Sequence, residues 1–208
     1  YAESVAGENA VDKDGNEVKI TVDDNAPEAA IVFKSVVDPF VGKLLYFKVV
    51  SGVIKPDTAL LNMRTGQMEK IGKVYTVRGK KQTEVPYLCA GDIGAVAKLA
   101  NTNTGDTLCS PSRPLTLPPV KFEEPCLSMA VYSKNKADEE KISVGLSKLM
   151  EEDLTMNYYF NYETNERILS GLGEQHLDVI VSKLKSKFGV EVTLEPPKVP
   201  YRETIRKK

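Results

Sequence analysis

The hydrophobic residues between positions 27 and 118 fall in short runs that alternate with polar residues, and none has helical spacing. Turn residues such as Lys55-Pro56-Asp57 and Ala90-Gly91-Asp92 separate the runs, as is typical of β-strands. The predicted strands are residues 29–37, 43–50, 58–62, 67–77, 84–86 and 93–99. Many short strands without intervening helices predict an antiparallel β-barrel.

A different pattern follows the prolines between Pro111 and Pro125, which predict a stiff connection. Strands are predicted at residues 126–133, 156–162, 167–171 and 190–194. A helix is predicted after Asn135, which can cap it with Asp138 as reciprocal partner. Its apolar stripe consists of Ile142, Leu146, Leu149 and Met150. With the second helix described next, the order strand-helix-strand-strand-helix-strand predicts an α+β ferredoxin-like (split βαβ) domain.

The second helix, residues 171–188, has the clearest periodicity. Its apolar stripe consists of Leu177, Ile180, Val181, Leu184 and Phe188. We expect this stripe to be buried against a sheet, with Gln175 and His176 pointing away from it. Gly171 and Gly173 are expected to let the preceding strand turn sharply into the helix.

Composition narrows the class of protein. The 208 residues are 41% hydrophobic and 27% charged, as is usual for a soluble globular chain. No apolar run reaches the roughly 18 residues of a membrane span. No signal peptide is evident. Cys89, Cys109 and Cys126 are widely spaced and are expected to be reduced, mostly packed thiols of a cytosolic protein.

Charge is unevenly distributed along the chain. Residues 1–26 carry two basic and seven acidic side chains, and a short strand is predicted there at 17–22, after a turn at Asp14-Gly15-Asn16. Residues 27–118 carry twelve basic and seven acidic side chains, which is compatible with a phosphate-rich partner. Residues 119–208 carry fourteen basic and fifteen acidic side chains.

Several motifs, in order, resemble the elongation factor G family of ribosomal translocases. Gly171-Leu172-Gly173-Glu174-Gln175-His176-Leu177-Asp178 resembles the signature of the family's third domain. Lys198-Val199-Pro200-Tyr201-Arg202-Glu203-Thr204-Ile205 is similar to the segment leading to the fourth domain. Upstream, the segment from Ala29 to Leu44, with Asp38-Pro39-Phe40-Val41-Gly42-Lys43, is similar to the opening of the second domain. Further similar motifs are Ser51-Gly52, Ala90-Gly91-Asp92-Ile93 and Thr104-Gly105-Asp106-Thr107-Leu108-Cys109.

The resemblance implies three segments. Residues 1–26 would be a linker retained from the junction with the GTP-binding domain. Residues 27–118 would be the translation-factor β-barrel, and residues 119–208 the ferredoxin-like third domain. The chain would then be a fragment that docks on small-subunit ribosomal RNA, touches a small-subunit ribosomal protein and relays the GTPase state, in the cytoplasm. No membrane or DNA partner is expected.

The chain is not expected to be an enzyme or to hold a cofactor or metal itself. A phosphate-binding loop needs Gly, four residues, and then Gly-Lys-Ser/Thr, whereas Gly66 is followed by five residues before Gly72-Lys73-Val74. His176 is the only histidine, so no two-histidine metal site can form. GTP and Mg²⁺ are expected in another domain of the parent protein.

Two sets of site residues are predicted. Candidates for ribosomal RNA contact are Lys43, Lys70, Lys73, Arg78 and Lys80. The resemblance implies a surface facing the switch region of the GTP-binding domain, near the pocket for the antibiotic fusidic acid, with candidates Gly171, Gln175, His176 and Ile180. Gln175 replaces the family's usual leucine, which leaves antibiotic binding open.

Two alternatives remain open at this point. The fragment could belong to another ribosome-bound GTPase, such as a ribosomal protection protein. It could also be a free-standing interaction or RNA-binding module, because some ferredoxin-like domains stack RNA bases on aromatic residues of their central strands. Here those strands offer only Tyr132, while Tyr158-Tyr159-Phe160 lies on an outer strand.

Overall fold

The computed structural model of the chain describes residues 7–38, 42–79, 81–135 and 138–204. The chain divides into two compact units, Tyr1–Lys121 and Phe122–Lys208. The predicted boundary, between Pro118 and Pro119, lies a few residues before this division. Lys80, one of the predicted RNA contacts, lies outside the described residues.

In its described residues, the regular secondary structure of the first unit consists of strands. They are β1 (Glu8–Asp12), β2 (Glu17–Ile20), β3 (Ala29–Asp38), β4 (Gly42–Ser51), β5 (Ala59–Asn62), β6 (Met68–Lys70), β7 (Val74–Arg78), β8 (Lys81–Val85), β9 (Ile93–Ala97), β10 (Thr107–Cys109) and β11 (Leu115–Thr116).

Eight of these strands form the predicted antiparallel barrel. Their order is β6-β5-β10-β3-β4-β9-β7-β8, and each neighbouring pair is antiparallel. Alternation along β4 places Leu45, Phe47 and Val49 in the barrel core, at most 1% exposed. The sequence therefore predicts the main strands because each has one buried face.

One predicted strand, residues 67–77, is two strands in the structure. β6 ends at Lys70 and β7 begins at Val74. Between them Ile71 turns inward, 1% exposed, and its backbone bonds to Thr58 O and Asp57 N, both at 2.8 Å. The prediction also missed β1, β10 and β11 and placed β8 a few residues late, because these short strands have little alternation of their own.

The acidic segment predicted as a linker contains a β-hairpin. β1 pairs with β2 on one side and with β11 on the other, which gives a three-stranded sheet. Ala10 and Ile20 pack with Leu115 and Leu117 in a small second core. The described part of this segment is therefore part of the first unit, and its turn is the one predicted at Asp14-Gly15-Asn16.

The second unit has the predicted ferredoxin-like fold. Its elements are β12 (Leu127–Ser133), α1 (Glu139–Glu152), β13 (Asn157–Asn161), β14 (Glu166–Gly171), α2 (Glu174–Phe188) and β15 (Val192–Glu195). The sheet order is β13-β14-β12-β15, so β12 and β14 are central and all neighbours are antiparallel. Both helices bury their apolar stripes in one core with the sheet.

The two helices of this unit come very close to each other. A Cβ atom on Gly145 of α1 would lie 2.6 Å from Leu184 Cδ1 and 3.2 Å from the Phe188 ring of α2. An alanine here would require Leu184 and Phe188 to move, so the glycine permits the close packing of the two helices. The N-cap residue of α1 is Asp138, three residues after the predicted cap Asn135, whose carbonyl accepts the Asp138 N–H at 3.0 Å.

None of the helices in the described residues has the length and apolar character required to cross a membrane.

Candidate functional site

Three of the four predicted switch-facing residues, Gly171, Gln175 and His176, lie where β14 leads into α2. β14 ends at Gly171 and α2 begins at Glu174, so the helix starts three residues later than predicted. Its first turn is closed by the Leu177 N–H, which donates to Gly173 O at 3.1 Å. We call residues 171–173 the α2 loop.

The side chain of His176 fastens the α2 loop to the end of α1. Its Nδ1 atom accepts the Leu172 N–H at 3.0 Å, and its Nε2 atom lies 3.0 Å from Asp153 Oδ2. A backbone N–H can only donate, so Nδ1 carries no proton and the Nε2–H donates to Asp153. His176 thus joins the loop before α2 to the residue that follows α1.

Asp153 is held in place from two directions. Burial by itself raises the pKa of this carboxyl, but hydrogen bonds from Thr155 and His176 outweigh it and keep the pKa below its ordinary value. The Thr155 N–H and hydroxyl donate to Oδ1 at 3.0 and 2.5 Å, which leaves Oδ2 for His176. Asp153 is therefore a charged acceptor that orients the imidazole.

Gly171 is required by the close approach of this histidine. A Cβ atom there would lie 2.9 Å from His176 Nδ1 and 2.9 Å from Leu177 Cδ2. Gly173 is different, because a Cβ atom there would meet nothing within 4 Å and its backbone is extended. Close packing of His176 thus explains the first glycine of the motif, and nothing in the structure explains the second.

The structure separates the four predicted switch-facing residues. Gln175 is exposed, as expected. His176 does not point away from the domain; its side chain is only 16% exposed, because both ring nitrogens are bonded within the unit. Gly171 is buried, and Ile180 is 2% exposed in the core, because it belongs to the apolar stripe of α2. The exposed surface consists instead of Leu172, Glu174 and Gln175.

Replacing His176 by alanine is expected to destabilise the second unit by about 1–3 kcal/mol, since a hydrogen bond contributes about 0.5–1.5 kcal/mol. The sequence alone predicts less than about 1 kcal/mol, as for a surface residue. Urea unfolding of the variant measures the loss, with Gln175→Ala as the exposed control. Equal stability of His176→Ala and the wild type would contradict the two hydrogen bonds. Imidazole ¹⁵N NMR should also find the Nε2–H tautomer.

The other end of α2 is fastened by an exposed group of charges. Glu191, which precedes β15, accepts from Lys134 Nζ at 2.7 Å and from Lys185 Nζ at 2.6 Å. The hydrogen bonds from these two lysines lower the pKa of Glu191 to about 2. This ion group links α2 to the segments that flank β12 and β15.

Glu191 should therefore make the second unit sensitive to acid. Its pKa is lowered on folding, so its contribution is complete above the ordinary value of 4.5 and is lost as the pH falls towards about 2. ¹³C NMR titration of the carboxyl should give the low midpoint, and Glu191→Gln should unfold with a weaker dependence on pH. A midpoint near 4.5 would mean that the lysines do not hold the carboxylate in solution.

The three cysteines differ in exposure. Cys109 is buried, Cys89 is half-buried and Cys126 is exposed, so the expectation of packed thiols is wrong for Cys126. The Cys126 thiol donates to Leu172 O at 2.9 Å, and its N–H donates to Gly171 O at 3.0 Å. Cys126 therefore also holds the α2 loop.

The basic residues predicted to contact RNA do not form one cluster. The Lys98 N–H donates to Lys43 O at 3.4 Å, so Lys43 lies beside the end of β9. Tyr75 is opposite Ala95, which places Arg78 beyond the start of β9. At about 3.3 Å per residue, about 20 Å separate these two positions along the strand. Lys70 is on β6, which is separated from β9 by four strands in the sheet order.

Two of these cations are engaged by carboxylates. Lys70 Nζ lies 2.7 Å from Asp57, and Lys73 Nζ lies 2.8 Å from Glu84. Lys43 Nζ donates to Asn103 at 2.6 Å. Arg78 and Lys81 are opposite each other at the end of the β7–β8 hairpin, both exposed. Among the described residues neither has a carboxylate partner. We call this pair the hairpin tip; the sequence analysis did not select Lys81.

The two central strands offer few aromatic side chains on which RNA bases could stack. Tyr132, their only aromatic residue, donates its hydroxyl to Glu166 at 2.5 Å. On the edge strand β13, Tyr158 packs on the core and contacts Ser143. Tyr159 and Phe160 are 46% and 41% exposed. The described central strands therefore lack the aromatic platform on which RNA-recognition domains stack bases.

The described residues contain no group of three or more potential metal ligands. Lys73 belongs to the segment that most resembles a phosphate-binding loop. It directly precedes β7 and forms an ion pair with Glu84.

Comparison with known proteins agrees with both folds. The family model of elongation factor G domain 2 matches residues 27–111, and that of elongation factor G domain III matches residues 122–196. The chain belongs to the elongation factor G family. Its second and third domains are the parts present, and these are domains that lack the family's GTPase site.

A solved structure supports the same assignment. The chain is similar to a protein of Thermus thermophilus whose crystal structure is known, with 35% sequence identity and a TM-score of 0.78. The similarity covers 88% of this chain and 27% of that protein. This chain therefore spans about a quarter of the length of that relative.

Proposed function

We propose that this chain is the ribosome-docking and relay portion of an elongation factor G-type translocase and has no GTP site of its own. The observation that carries the proposal is the succession, in one chain, of a barrel matched by domain 2 and a ferredoxin-like unit matched by domain III. It would act in the cytoplasm beside a GTP-binding domain of the same parent protein. That domain would hold GTP and Mg²⁺.

In this proposal the barrel contacts small-subunit ribosomal RNA through the hairpin tip. Arg78 and Lys81 are exposed and are not engaged by described carboxylates, so their charges are free to meet phosphates. Lys70 and Lys73 are neutralised by Asp57 and Glu84 and contribute less. Each neutralised phosphate releases counterions, so binding should weaken steeply with salt.

Charge reversal tests the barrel contact. Arg78→Glu with Lys81→Glu is expected to weaken sedimentation with small ribosomal subunits and to flatten its dependence on salt. Lys13→Glu with Lys19→Glu is the matched control, because it makes the same charge change on the β1–β2 hairpin. If both double variants bind like the wild type, the hairpin tip is not the RNA contact.

The α2 loop and the first turn of α2 are together the proposed docking surface for the switch region of the GTP-binding domain. Leu172, Glu174 and Gln175 are exposed there, and Leu172 is 41% exposed although it is apolar. His176 positions this surface, because its Nδ1 atom accepts a hydrogen bond from the Leu172 N–H. A small-subunit ribosomal protein is the further partner expected for this unit.

Two measurements test the relay. Calorimetry of this chain with GTP and Mg²⁺ should detect no binding, and micromolar affinity would contradict the proposal. In the full-length factor, Leu172→Ala and Gln175→Ala should reduce ribosome-stimulated GTP hydrolysis without loss of stability. Ser186→Ala, near the other end of α2, is the control. Unchanged GTP hydrolysis in both Leu172→Ala and Gln175→Ala would mean that this surface does not contact the switch region.

A further inference from the structure

Beyond β15 the chain continues without regular secondary structure to residue 204, and two acidic residues of the β13–β14 region contact it. The Lys198 N–H donates to Glu166 Oε2 at 3.0 Å. Further on, Arg202 pairs with Glu163. We call residues 196–203 the strap.

Glu166 is an unusual place for a carboxylate. It opens the central strand β14 and is only 4% exposed. Leu169 faces the helices in the core, so Glu166, three positions earlier, lies on the other face of the sheet. A buried carboxylate requires partners, and this one has the Tyr132 hydroxyl on Oε1 and the strap on Oε2.

The charge of Glu166 is stabilised by these contacts. The hydrogen bonds from the Tyr132 hydroxyl and from the Lys198 N–H keep the pKa of Glu166 below its ordinary value. Lys198 Nζ also lies 3.8 Å from Oε1. The carboxylate therefore stays ionised and remains a strong acceptor for the strap.

The apolar side chains of the strap do not hold it to the sheet. Val199 is 65% exposed and Tyr201 is 89% exposed, whereas Lys198 and Arg202 make the contacts. Pro196, Pro197 and Pro200 stiffen the segment and lower the entropy lost when it is fixed. The path of the strap thus depends on two polar contacts.

We propose that Glu166 and Glu163 form a releasable clamp on the strap, with Glu166 as the positioning residue that fixes the direction in which the chain leaves the ferredoxin-like unit. Loss of the Glu166 contact frees the strap while the core of the unit stays folded, because that core lies on the other face of the sheet. The inference concerns the conformation of this chain and does not depend on ribosome binding.

Backbone ¹⁵N relaxation of the chain tests the clamp. In the wild type, the order parameters of residues 199, 201, 202 and 203 should be close to the rigid value of about 0.85, and in Glu166→Gln they should fall below about 0.6. Glu163→Gln should affect residues 202 and 203 alone. Exchange of the Lys198 amide proton should become at least about tenfold faster in Glu166→Gln, as expected when a 1.4 kcal/mol contact is lost.

A second pair of variants leaves the buried carboxylate intact. Lys198→Pro removes the strap's donor and the lysine side chain and also fixes the φ angle of residue 198. Loss of the contact with Glu166 should free the strap, whereas Lys198→Met keeps the N–H and should leave it ordered. If Glu166→Gln fails to fold, the two Lys198 variants test whether the contact with Glu166 orders the strap. Order parameters below about 0.6 in the wild type, or unchanged values in Lys198→Pro, would overturn the proposal.

Discussion

Replacing Leu184 by alanine is expected to lower the free energy of unfolding of the second unit by about 2–5 kcal/mol, as for other fully buried leucines. Leu184 is 0% exposed and lies on α2 where this helix meets Gly145 of α1. Gly145 has no side chain that could fill the space left by the Leu184 side chain. A cavity therefore remains.

Urea unfolding followed by circular dichroism measures this loss. Val179→Ala is the matched control, because Val179 lies on the same helix and is 50% exposed, and it should change stability by less than about 0.5 kcal/mol. A loss below about 1 kcal/mol for Leu184→Ala would mean that the core collapses around the missing side chain.

Replacing Asp106 by alanine is expected to destabilise the barrel by about 2–4 kcal/mol, because it removes a buried acceptor that serves the buried Asn62 amide, the Asn103 N–H and Arg64. Asp106 is 4% exposed, and it accepts from Asn62 Nδ2 and from the Asn103 N–H, both at 2.9 Å. Arg64 donates to both carboxylate oxygens, at 2.6 and 2.9 Å. Arg64 is 51% exposed and Asn103 is also exposed, so both can bond to water, and the buried Asn62 amide accounts for most of the loss.

The effect should depend on pH in a defined direction. Burial raises the pKa of Asp106, but the hydrogen bonds from Arg64, Asn62 and Asn103 outweigh it and leave the pKa below 3.8. Its contribution is thus complete above 3.8 and is lost as the pH falls through the lower folded value. Asp106→Ala should lack this part of the acid sensitivity.

Unfolding at pH 7 and pH 3 compares Asp106→Ala with Glu84→Gln, which breaks the exposed pair with Lys73. The control should lose at most about 1 kcal/mol. If the two variants lose the same amount, the network around Asp106 is no more than a surface ion pair.

The sequence analysis selected residues at the candidate sites, but it did not predict where their side chains point or which residues they contact. It selected His176 from a motif, but the hydrogen bond to Asp153 joins residues 23 positions apart, and no local pattern indicates it. It selected Lys70, Lys73 and Arg78 as candidate RNA contacts, although Lys70 ends β6, Lys73 precedes β7, and these two lysines are paired with carboxylates. The presence of Ile180 in the apolar stripe of α2 already indicated that it would be buried.

The sequence by itself determined the two folds and their order. Alternation in the barrel strands, the apolar stripes of α1 and α2, and the turn residues between them are local consequences of which faces must be buried. The family was also evident from the order of its motifs. These features can be predicted from the sequence because each depends on residues a few positions apart.

Tertiary structure alone decided which polar groups meet. The pairing of β1 with β11, the network around Asp106, the His176–Asp153 contact and the hold of Glu166 on the strap each join distant segments. A buried polar group is stable only where a partner of suitable geometry arrives from elsewhere in the fold. That arrival is set by strand register and helix packing, which the local order of residues does not specify.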